Sequence, residues 1–91
     1  MRMKSNTKIE TQDGARISKR LLNHWKHKFE VSESAEQMQI FMPDHTITLK
    51  PQAEYLDVLI DSKLDDLSQI QDVVINHLNR MAQREFNAVW Q

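Results

Sequence analysis

The sequence predicts an α+β fold in two layers, an antiparallel sheet with two helices on one of its faces. Three observations predict it. Short segments between residues 29 and 61 alternate apolar and polar with period two, and two other segments switch to a helical period. Turn-forming residues fall between the alternating segments. The expected order is β-α-β-β-β-β-α, and 91 residues make a single domain, 1–91.

The polar opening, residues 1–6, is expected as a disordered tail, with Lys8-Ile9-Glu10-Thr11 as a first short strand. Around residues 15–28, Ile17, Leu21, Leu22 and Trp25 share one side of a helix, and Asp13 precedes Gly14, the single glycine, as its cap. Four strands follow as a meander. Their inward residues are Phe29 and Val31, then Met38, Ile40 and Met42, then Ile47 and Leu49, then Leu56, Val58 and Ile60. Ser32-Glu33-Ser34, Pro43-Asp44 and Pro51-Gln52 supply the turns, because proline presets φ and cannot continue a central strand. Phe41 and Leu59 are apolar residues on the polar face.

The second helix is expected around residues 63–83, with Leu64, Leu67, Ile70, Val74, Leu78 and Met81 as its stripe. Ser62 with Asp65 three residues on has the form of a capping box. Phe86, Ala88 and Trp90 alternate beyond it and can supply a closing strand. This order resembles one half of the TATA-box-binding-protein fold, a likeness of topology that carries no function.

Composition narrows the chemistry. Cysteine is absent, which removes disulfides, thiolate metal ligands and a Cys nucleophile together. The longest aliphatic runs have three residues, Val58-Leu59-Ile60 and Val73-Val74-Ile75, so no membrane partner is expected. Residues 1–8 lack the apolar stretch of a signal peptide, and the cytoplasm is the expected compartment. Residues 1–28 carry eight bases against two acids, while residues 29–72 carry ten acids against two bases. The basic face of the first helix (Arg16, Lys19, Arg20, Lys26) has no interleaved aromatic residue, which argues against nucleic-acid readout.

No phosphate loop, H-E-x-x-H pair or nucleophile elbow is present, and the residues name no reaction. The histidines are the remaining signal. His24 and His27 lie three apart at the end of the first helix, and His77 lies in the second, followed by Arg80, Arg84 and Glu85. At 100° per residue His24 and His77 fall on the edges of their apolar stripes, with Arg80 and Arg84 on the flank of His77. Side-by-side helices would then form a polar pocket from His24, His77, Arg84 and Glu85, with His27 at its rim. Two imidazoles and a carboxylate (His24, His77, Glu85) suit iron or zinc and leave open positions. Without metal the same pocket would bind a small anion, since Arg contacts carboxylate or phosphate bidentately. The structural alternative is that each boundary imidazole simply bonds a backbone carbonyl. His45, in a turn, is expected to be solvated.

Two stretches carry a family resemblance: Leu22-Asn23-His24-Trp25-Lys26-His27-Lys28-Phe29, and His77 to Glu85 closing on Trp90. Their H-W-x-H-K-F and H-L-x-R-x-A-x-R-E patterns resemble the bacterial domain of unknown function 2218 family over residues 7–91. Members tend to carry glycines in the turn where this chain has Met42-Pro43-Asp44-His45. The resemblance implies no established activity. It does imply a link to iron handling, because members often lie near iron and siderophore uptake genes. The leading expectation is thus a small protein binding a metal ion or anionic ligand, and an enzyme would use His24 or His77 as general base oriented by Glu85. The alternative is an interaction module, a homodimer through a sheet edge or an acidic partner on the basic first helix.

Overall fold

Alternation along the strands sorts their side chains onto two faces, and the inner face is built in rows that cross the sheet. In the computed structural model, which describes residues 3–91, the elements are β1 (Met3–Glu10), α1 (Gly14–Trp25), β2 (Glu30–Glu33), β3 (Met38–Phe41), β4 (His45–Pro51), β5 (Tyr55–Ser62) and α2 (Ser68–Ala82). The sheet order is β1-β5-β4-β3-β2, antiparallel throughout. One inner row runs Ser5, Ile60, Ile47, Ile40, Val31, and the next runs Thr7, Val58, Leu49, Met38. The two-layer α+β architecture and its element order are as the sequence predicts.

Both helices contribute to the core formed on this inner face. Ile17, Leu21, Leu22 and Trp25 of α1 and Ile70, Val74 and Leu78 of α2 are buried with the inner rows. Each fully buried Leu, Ile or Val contributes about 1.5–3 kcal/mol, so most of the fold's driving force sits in this layer. The helices run antiparallel, since Arg20 reaches Met81 while His24 reaches His77. Gly14 lies where α1 meets the β4–β5 hairpin. A Cβ there would stand 3.4 Å from Leu56 and Pro51, in van der Waals contact with the hairpin.

Several boundaries differ from expectation. Residues 3–6 are strand, and only the remainder of the expected tail lies outside the described residues. The inward residues Ser5 and Thr7 are small and hydroxylic, so the buried face of β1 carries no apolar signal before Ile9. The first helix ends at Trp25, whose carbonyl accepts the N–H groups of Lys28 and Phe29 as the chain turns into β2. Asp13 makes no side-chain cap and pairs instead with Arg16 at 2.9 Å.

The second helix starts at Ser68, not near 63. Ser62 stays in the sheet opposite His45, and its Oγ accepts the Leu64 N–H. The Ser62–Asp65 capping box therefore does not form. Asp66 instead ties the turn to the first residue of α2, with one carboxylate oxygen accepting both the N–H and the hydroxyl of Ser68. Leu64 is consequently exposed, while Leu67 is buried. Beyond α2, Phe86, Ala88 and Trp90 are half-buried and their alternates exposed, as the alternation predicts. The segment runs beside β1 without becoming a full strand, for Asn6 and Gln91 alone exchange two backbone hydrogen bonds among the described residues.

Candidate functional site

The antiparallel helices bring His24 and His77 together, with ring centroids 5.4 Å apart and planes inclined at 49°. His24 ends an α1 flank that is exposed, and His77 is half-buried in α2. The buried Trp25 ring packs on His77 at 4.8 Å and meets Phe29 edge-on at 6.3 Å. The H-W-x-H-K-F stretch thus places its Trp as the floor and its first His as one wall.

His77 is held from behind. Its Nδ1 lies 2.7 Å from the Val73 carbonyl one turn earlier. A carbonyl only accepts, so Nδ1 carries the proton and donates it. In the neutral ring Nε2 is left with a lone pair, the tautomer control common to metal-ligating histidines. Arg20 ties the same pair of helices further along, donating to the Met81 carbonyl at 2.9 Å.

Arg84 and Glu85 do not join the pair. The helical flank that would align them with His77 stops at Gln83, which is left-handed with φ 58° and ψ 39°. The Gln83 N–H bonds the Arg80 carbonyl at 3.3 Å and the Arg84 N–H bonds the Asn79 carbonyl at 3.2 Å, a Schellman ending. The chain then reverses. Arg84 lies over the Phe86 ring at 5.0 Å, and with Glu85 it lines a cleft of about 500 Å³ beside Lys8 and Glu10. Arg84 also borders a second cleft of about 520 Å³ with Thr11, Asp13 and Glu54. No histidine lines either cleft.

The expected His/Arg/Glu pocket is therefore divided. Among the described residues no three His, Cys, Asp or Glu side chains are grouped to hold a metal ion, so Glu85 does not complete a set with His24 and His77. His27 is exposed in the turn after α1, and Arg80 is exposed on the last turn of α2. The basic face of α1 is largely engaged within the chain, with Arg16 on Asp13, Lys19 on Glu33 at 2.6 Å and Arg20 on Met81. That arrangement weakens the reading of the face as a dock for an acidic partner.

His45, placed by the sequence in a solvated turn, is instead engaged. It opens β4, half-buried, with Nδ1 2.8 Å from Oγ of the fully buried Ser62. Seventeen residues separate the two, and only the β4–β5 register reveals the contact.

These features define a two-layer α+β domain with an imidazole pair set between its two helices. The chain belongs to the family described as "Uncharacterized protein conserved in bacteria (DUF2218)", whose model matches residues 6–91. It is similar to the NMR structure of PA4090 from Pseudomonas aeruginosa, at 34% identity and a TM-score of 0.81, covering 97% of this chain and 94% of that one. No curated protein matches the chain. No described helix is long and apolar enough to cross a membrane.

Proposed function

We propose that this protein binds a late first-row divalent metal ion, of the zinc or ferrous iron class, through His24 and His77. One observation carries the reading: the two rings stand 5.4 Å apart while the Val73 carbonyl fixes His77 with its Nε2 lone pair available. Imidazole nitrogens bind zinc at about 2.0–2.1 Å, and two rings on one tetrahedral ion have centroids on the order of 5 Å apart. The observed centroid spacing falls in that range. An acceptor nitrogen attracts a cation and repels an anion, and Arg84, which an anion would need, lies at the other clefts. Metal is therefore favoured over a small anionic ligand.

A site with two protein ligands leaves the remaining coordination positions to water or to ligands that arrive with the ion. Such a site suits capture and release better than permanent structural binding. The iron-handling role implied by the family resemblance would be exercised here. Equilibrium dialysis tests the reading, with tag-free protein held against a buffer of fixed zinc or ferrous iron concentration and the metal in excess of the outer compartment counted per chain by elemental analysis. Bound metal that is lost in both His24→Ala and His77→Ala supports it. Metal content at background in the wild type, or unchanged in the two variants, refutes it.

A further inference from the structure

The segment after α2 covers the β1 edge of the sheet incompletely. Only Asn6 and Gln91 exchange backbone hydrogen bonds across this border among the described residues. Beside that pair a gap of about 200 Å³ opens between strand and segment, lined by Asn6, Thr7, Lys8, Val89 and Gln91. The segment is nevertheless anchored by side chains. Phe86 and Trp90 pack against the core, and the Phe86 N–H bonds Asn79 Oδ1 at 3.0 Å.

The joint between α2 and this segment is Gln83, and among the described residues it is the one non-glycine residue with positive φ. A residue with a Cβ is strained there, and a right-handed conformation at this position would relieve the strain. That change would also continue α2 and carry residues 84–91 away from β1 of the same chain.

We infer that residues 84–91 form an exchangeable edge strand, which docks on β1 of a second copy of this chain to give a reciprocal two-fold dimer with Gln83 as its hinge. The occupant is specified by the molecule itself, because the segment already sits on β1 in cis and would make the same contacts in trans. Exchange of identical contacts is nearly balanced in energy, so the hinge residue and the protein concentration set the equilibrium. An uncovered β1 edge would be a template for strand pairing, and the segment covers it to the same extent in either arrangement.

The cysteine-free sequence makes the test clean. Asn6 and Gln91 are a hydrogen-bonded antiparallel pair, with Cα atoms expected about 5.5 Å apart, within reach of a disulfide. Asn6→Cys with Gln91→Cys in one chain should close an intrachain disulfide in dilute oxidising buffer, which verifies the pairing. The single variants Asn6→Cys and Gln91→Cys are then mixed, concentrated to about millimolar, and oxidised. The inference predicts that the mixed disulfide, joining position 6 of one variant to position 91 of the other, predominates over either homodisulfide on mass spectrometry. It also predicts that the dimer fraction of the cysteine-free chain, by light scattering, falls at least about fivefold with Gln83→Gly and rises with Gln83→Val. A statistical mixture of disulfides, or a dimer fraction indifferent to residue 83, would overturn it.

Discussion

The Trp25 and His77 rings pack with centroids 4.8 Å apart, and this contact sets the position of the imidazole pair. Trp25 is buried in the shared core of α1 and α2, so the surface-facing His77 rests on a rigid indole. The Val73 carbonyl then fixes which way the ring turns. His24, next to Trp25 in sequence, is carried to the same place by the helix that buries Trp25. The imidazole pair is thus a by-product of core packing, with little that must be held by loops.

Packing in the layer between the helices and the sheet should dominate stability. Leu78 is fully buried, and Leu78→Ala is expected to cost about 2–5 kcal/mol in urea unfolding. Leu64, on the same stripe in the sequence, is 43% exposed because the helix starts after it. Leu64→Ala should cost less than about 0.5 kcal/mol. Equal costs would mean that the helix begins earlier than Ser68.

Relief of strain at the end of α2 should stabilise the chain. Gln83→Gly removes the left-handed penalty at φ 58° while keeping both carbonyl-capping bonds. The expected gain is about 0.5–1 kcal/mol after allowance for the greater freedom of glycine when unfolded. In a domain of this size that is a rise of roughly 2–8 °C in Tm by calorimetry. A lower Tm would show that residue 83 is not held left-handed in solution.

The turn before α2 should report on acid. Hydrogen bonds from the Ser68 N–H, and then the Ser68 hydroxyl, hold the Asp66 carboxyl below its ordinary value of 3.8. A depressed carboxyl stabilises the fold above its unfolded pKa, and the contribution is lost as pH falls through the folded value. The effect therefore belongs to the range below about pH 4. NMR titration should give Asp66 a midpoint under 3.8, and Ser68→Ala should raise it; an unchanged midpoint would remove the hydroxyl from this role.

Period-two and period-3.6 patterns make the meander and both helices legible because their buried positions are apolar. β1 reads short in the sequence because its inner positions begin Ser5 and Thr7, which bury without an apolar signature. The start of α2 reads too early because Ser62, a good cap by type, is committed to the sheet opposite His45. His24 and His77 are legible because helical spacing puts both on stripe edges, and antiparallel packing makes the edges meet. Arg84 reads as part of the His77 flank, and Glu85 as a neighbour in its pocket, because nothing in Gln83 announces a left-handed ending, where glycine or asparagine would.

The most direct test of the metal reading is an NMR titration of the uniformly labelled, tag-free protein with zinc, observing the imidazole nitrogens of all four histidines. The account predicts that His77 Nε2 and the His24 ring respond together and saturate at one equivalent, while His45, bound to Ser62, stays unmoved. Independent responses of His24 and His77, or a response spread evenly over all four histidines, would contradict it.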